Sequence, residues 1–277
     1  MKDHKEEIFT LFGKAERALD SGDANRAVNE ATKAHRLIKR LPAEERGVLE
    51  LEALVLVADS LIEAGRSREA LPLYEQMRAL DPEDSEVDAL EAVARFHLWQ
   101  FEEALRLLDH HDALGAPTGL SLYYRSLALE FLDRQGESEA ALTAAIARDP
   151  DAFSTPIRLG SDEVERLLRD VIASLPDDVR EALATVSVSV SPLPDRHLHA
   201  EGLDPLTLGV YIGSDLATRS HFDADVNLDR IEIFQRNVER VAGNREEAKH
   251  ELRVTLLHEI GHHLGWDEDD LEQRGLA

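Results

Sequence analysis

Cysteine is absent from this chain of 277 residues. Its absence excludes disulfide frameworks and thiolate metal sites, so any metal must be held by imidazoles and carboxylates. Aromatic residues are scarce, at 5%, which leaves the core to Leu, Ala and Val. Positive charge is also short: 31 Lys and Arg stand against 56 Asp and Glu, a net charge of -25. The acidic excess runs through both halves of the chain and is not a tail. Such a field favours solubility and repels phosphate backbones and anionic headgroups, which argues against nucleic-acid and membrane partners. Long apolar runs are missing too. The stretch 51–62 is broken by Glu52 and Asp59, and nothing approaches a membrane span. The apolar run at 8–12, behind a charged start, is too short for a secretory signal. The expectation is a soluble, cytoplasmic protein.

With 43% hydrophobic residues, the chain can bury one large core or two ordinary ones. Residues 6–150 carry helical periodicity broken at intervals of one helix pair. The best unit spans 51–82. Ala58 and Ala70 let two antiparallel helices approach, Gly65 permits the turn between them, and Pro82 ends the second. Ala70 and Ala104, each followed by Leu, are 34 residues apart. This pattern resembles the tetratricopeptide repeat, whose period is about 34 residues. Three poorer units accompany it. One is marked by Gly22, Ala27, Ala31 and Ala34. Another puts Trp99 where the turn glycine belongs. The last has Gly136, Ala141 and Asp149-Pro150, with a second helix that reads about three residues short. Ser85 and Asp88 have capping-box spacing at the start of the third pair. The resemblance implies a surface for a peptide or a protein partner. His97, His110 and His111 fall in this half and are assigned no role.

Residues 153–160 read as a linker. A helix then starts with Asp162 as N-cap and Glu165 three later, and a short one follows Pro176. Residues 185–191 alternate Val and Ser with period two, the pattern of a half-buried strand. Further strands are expected at 207–212 and 230–234. The second of these is either a sheet edge for an extended peptide or an ordinary paired strand. A last long helix begins near Asn244, with Glu247 as cap partner, and runs to about residue 264.

That helix carries His258-Glu259-Ile260-Gly261-His262. At about 100° per residue, His262 lies roughly 40° from His258, while Leu256, Ile260 and Leu264 lie on the far side. Two imidazoles thus face one cleft with a carboxylate beside them, the arrangement that binds zinc and supplies a general base. A catalytic zinc takes three protein ligands and keeps one open position. Run straight on, the helix would carry residue 268 about 15 Å beyond His258. Gly265 can take the left-handed conformation that ends a helix and turns the chain back, so that Glu268 reaches the metal. Asp267 is the adjacent alternative. The full string H-E-x-x-H-x-x-G-x-x-E resembles the minimal zincin-like metallopeptidase family, which commonly has Asp where Glu268 stands. The resemblance spans residues 161–277. It implies Zn2+ as cofactor, His258, His262 and Glu268 as ligands, and Glu259 as general base. Tyr211, His221 and Arg219 are candidates for the donor to the oxyanion. His197 and His199, in a proline-flanked loop, are lesser alternatives as ligands.

The expected fold is mainly α: a tetratricopeptide-like α-solenoid over 1–152, then, beyond the linker, a small α+β minimal zincin domain over 161–277 with a short three-stranded sheet. The expected function is a zinc metallopeptidase, with a zinc-bound water as nucleophile and a repeat domain that recruits substrate or partner. Two rivals stand beside it. One is a repeat-based adaptor whose zinc site is structural or vestigial. The other is a zinc hydrolase acting on bonds other than peptides.

Overall fold

The computed structural model describes residues 2–213, 229–267 and 270. The chain forms two compact units, 1–154 and 155–277. Among the described residues, no helix is long and apolar enough to cross a membrane.

The first unit is an α-solenoid of four helical hairpins: α1 (Lys2–Asp20) with α2 (Ala24–Ile38), α3 (Gly47–Glu63) with α4 (Ser67–Leu80), α5 (Glu86–His97) with α6 (Phe101–Leu114), and α7 (Gly119–Phe131) with α8 (Gln135–Arg148). Ala58 and Ala70 are buried where α3 meets α4, beside Leu54, Tyr74 and Met77. Each hairpin turns through one left-handed residue: Gly22 (φ 77°), Gly65 (φ 70°), Trp99 (φ 60°) and Asp133 (φ 58°). The same pair of hydrogen bonds closes each turn, for example Gly65 N–H to Ile62 O and Arg66 N–H to Leu61 O. The last three turns are spaced 34 residues apart, at 65, 99 and 133.

A left-handed conformation costs a non-glycine residue about 1–2 kcal/mol. At Trp99 burial offsets it: the indole is 5% exposed and packs edge-on against Phe131 and tilted against Phe101, both at 5.7 Å. Asp133, which is exposed, belongs to a residue type that tolerates this region. The fourth hairpin differs from the sequence expectation. Its second helix is not short: α8 has 14 residues, as do α4 and α6. Gly136 lies inside α8 and the turn falls on Asp133. The expected capping box is also absent, since the Ser85 side chain makes no cap bond. Asp88 instead accepts from Arg78 at 2.7 Å and meets His110 at 2.6 Å. Burial raises the Asp88 carboxyl, but those two partners outweigh it and hold the group below its ordinary range. His111 contacts the Ser85 carbonyl and His97 the Tyr124 hydroxyl, so His97, His110 and His111 make contacts within this unit.

The second unit contains α9 (Ser161–Ala173), α10 (Asp177–Ala182), β1 (Ser187–Ser191), β2 (Gly209–Ile212), β3 (Arg230–Phe234), α11 (Gln235–Val241) and α12 (Arg245–His263). The strands form a mixed sheet in the order β1-β3-β2. β1 runs parallel to β3 with Ser187 opposite Arg230, and β2 runs antiparallel with Gly209 opposite Ile233. β3 is therefore the central strand, paired on both sides, and cannot offer a sheet edge to a peptide; among the described residues, β2 lies at an edge. Ile231 and Ile233 of β3 share one buried core with Leu252, Leu256 and Ile260 of α12 and with Val164 and Leu168 of α9. α9 follows Gly160 at its N-cap, so Asp162 sits in the first turn and is not the cap.

Residues 155–160 belong to this unit, although composition reads them as a linker. The Leu159 N–H donates to Glu239 Oε1 at 2.8 Å and Arg158 Nη1 to Oε2 at 2.8 Å. Glu239, on α11, is 1% exposed.

Candidate metal centre

The site is built on α12, whose two ends are fixed by side chain and backbone. At the start, Asn244 Oδ1 accepts from the N–H groups of Glu246 and Glu247 at 3.1 Å. The Glu247 carboxylate accepts from Gly243 N–H at 2.9 Å and from the Asn244 amide. At the other end Gly265 has φ 81°. Its N–H bonds His262 O and the Trp266 N–H bonds Gly261 O, both at 3.0 Å. This two-bond stop turns the chain one residue past the helix cap, as the left-handed glycine requires.

On the face opposite the buried Leu252, Leu256 and Ile260, the Nε2 atoms of His258 and His262 lie 2.9 Å apart, with the rings at 83°. Two nitrogens bound to one tetrahedral zinc at about 2.0–2.1 Å lie about 3.3 Å apart, so a small ring rotation fits the pair to a shared cation. Both rings and Glu259 line a cavity of about 660 Å³ together with Gly209, Tyr211 and Trp266. Glu259 is 7% exposed, on the wall between the helix and β2.

β2 approaches α12 closely because residue 209 has no side chain. A Cβ there would meet Thr255 Cγ2 at 2.7 Å, Ile233 Cδ1 at 3.1 Å and Glu259 Cγ at 3.2 Å. This packing role of Gly209 has no signature in the sequence beyond a glycine in a strand. His263, which sequence reasoning left without a role, is fully buried. Its Nε2 lies 3.3 Å from the Ala182 carbonyl oxygen. A carbonyl only accepts, so in the neutral ring Nε2 carries the proton and Nδ1 accepts from the Tyr211 hydroxyl at 3.2 Å. This contact holds Tyr211 at the cavity wall.

The other candidates fall elsewhere. Asp267 lines the cavity, but its Oδ1 accepts from the Asp270 N–H at 2.9 Å. Among the described residues, no third His, Asp or Glu joins the two imidazoles in a group that could hold a metal. Glu268, Arg219 and His221 lie outside the described residues. His197 contacts Asp195 at 2.7 Å and Arg230 at 3.2 Å; neither it nor His199 lines the cavity.

Residues 183–276 match the family model of the zincin-like metallopeptidase. Residues 61–117 match the tetratricopeptide repeat, a span that contains the turns at Gly65 and Trp99. The two matches fall in separate units, repeats first and the zincin-like part second. The zincin-like match takes in the sheet, α11 and α12, and begins after α9 and α10. A search of the curated proteins found no match to the chain. The donor chemistry of the zincin-like unit agrees with zinc: two imidazoles at one helical turn, no thiolate, and a carboxylate beside them.

Proposed function

We propose that the zincin-like unit is a zinc-dependent metallopeptidase, with the repeat unit binding substrate or a protein partner. The observation that carries this reading is the convergence of His258 and His262 to 2.9 Å at a cavity that Glu259 also lines. In this reading His258, His262 and Glu268 hold the metal, and the bend at Gly265 is what directs the chain after α12 back towards the imidazoles. Bound zinc supplies Lewis acidity that brings water towards a pKa of about 7 and polarises a carbonyl. Glu259 takes a proton from the attacking water and passes one to the leaving amine nitrogen. Tyr211 is the oxyanion donor, with Arg219 and His221 as the other candidates. β2, at the sheet edge, offers backbone donors and acceptors to an extended peptide. The size of the cavity favours an enzyme over a structural zinc site, which closes its shell and needs no room for a substrate.

Glu259→Gln tests the assignment. The variant should keep its zinc, measured by metal analysis, and lose about 10²–10⁴-fold in cleavage of a peptide pool. Cleavage at the wild-type rate would rule Glu259 out as the base.

A further inference from the structure

A second cavity, of about 320 Å³, opens on the other flank of His258 and Glu259. Its walls are Leu208 and Gly209 of the β2 approach and Val254 and Thr255 of α12. They offer methyl and methylene surface, with one charged group beyond the metal site among the described residues: Glu251. Seven residues before His258, Glu251 shares its face of the helix about 10 Å along the axis.

Glu251 is half-buried, and among the described residues it makes no hydrogen bond or ion pair. Its neighbours one turn away on α12 are Glu247, Ala248, Val254 and Thr255, none of them cationic. Glu247 is committed to the helix start through Gly243 and Asn244. Lys249 is turned to Glu246 at 2.8 Å and Glu163 at 3.5 Å. A partly desolvated carboxylate without a partner is unfavourable, and a ligand that brings a cation to it gains a charge-assisted hydrogen bond.

We propose that this cavity is a substrate subsite for a lysine or arginine side chain, with Glu251 as the specificity-determining residue. The inference rests on the peptidase reading above and names its substrate class. The chemistry fits in two parts. The apolar walls take the methylene stem, and the carboxylate at the far end takes the charged head. The distance selects for length: a short polar side chain placed beside Glu259 does not reach a group two helical turns away. The flanking position of the cavity sets the preference at a residue next to the scissile bond.

The test uses peptides that differ only by Lys or norleucine at one position, scanned along the sequence. Fluorescence anisotropy measures their binding to the zinc-free full-length protein, and cleavage is measured after zinc loading. One position should favour Lys about ten-fold or more in both assays. Glu251→Gln should bring that ratio to about one, while Glu247→Gln should leave it intact. Cleavage without a Lys preference at any position overturns the subsite and leaves the peptidase standing. A Glu251-dependent binding preference with no cleavage in zinc keeps the subsite and overturns the peptidase. Loss of the preference in Glu247→Gln as well as Glu251→Gln assigns it to the general acidic field and overturns the proposal. Equal binding of Lys and norleucine peptides overturns it as well.

Discussion

A single methyl group at residue 209 tests whether β2 and α12 are in contact at the site. In Gly209→Ala the new carbon would lie 2.7 Å from Thr255 Cγ2, where carbon atoms ordinarily rest at about 3.5–4.0 Å. The overlap is therefore about 0.8 Å or more. Thr255 cannot swing away easily, because it is buried on α12 and a β-branched side chain is stiff in a helix. Ile233 and Glu259 close the other sides at 3.1 and 3.2 Å. The strand must move off the helix by about the overlap. Overpacking of this kind costs about 1–3 kcal/mol, which for a unit of this size lowers the melting temperature by roughly 4–15 °C. Displacement of about 1 Å beside the reacting groups lowers peptide cleavage by up to about 10²-fold. Zinc content should not change, since His258 and His262 are carried by α12 alone. Differential scanning calorimetry and metal analysis read these outcomes. A variant that melts and cleaves as wild type does would refute the contact between strand and helix. Gly136→Ala serves as the reference: nothing lies within 4 Å of its added carbon, and alanine inside α8 should stabilise by about 0.5–1 kcal/mol.

Two further predictions concern the repeat unit. Burial, and after it the Glu63 carboxylate, pushes the Asp59 carboxyl from 3.8 up to about 6. A group whose pKa rises on folding stabilises the fold below its unfolded value and loses that contribution as pH rises through the folded value. Asp59→Asn should therefore gain on the wild type between pH 4 and pH 8. The ceiling is about 3 kcal/mol, from 1.36 kcal/mol per unit, and partial exposure reduces it to about 1–2 kcal/mol. Urea melts of both proteins across that range check it; a difference independent of pH contradicts the burial. At the turns, Asp133→Gly should stabilise by about 1 kcal/mol by relieving the left-handed strain. Trp99→Gly should destabilise by about 2–4 kcal/mol, because the lost indole packing exceeds the same relief. Denaturant melts giving the same sign for both would show that turn strain, not packing, governs these positions.

Much of this architecture is legible in local pattern. The period of 34 comes through Ala70 and Ala104, because close helix contact demands small residues there. The end of α12 is legible in Gly265, since few other residues accept its conformation. The two imidazoles on one face follow from helical spacing alone. What the sequence hides is long-range pairing. Residues 187–191 and 230–234 pair in parallel across some forty intervening residues, and that pairing makes β3 central. Without it the edge strand cannot be chosen. The roles of Gly209 and His263 depend on that same pairing, because each is defined by what packs against it. Ser85 and Asp88 mislead for a related reason: a guanidinium and an imidazole from neighbouring helices compete for the carboxylate and win over the local cap.

The Glu239 clamp bears on how the second unit opens and closes. One interior carboxylate fastens Arg158 and Leu159 to α11 from eighty residues away. Peeling that leading segment off would break both bonds and leave the carboxylate only the Gln235 amide of its own helix, 2.7 Å away, a loss set by charge-assisted hydrogen bonds. Fraying from this end is thus suppressed, and residues 158 and 159 are tied into the cooperative unfolding of the sheet and its helices.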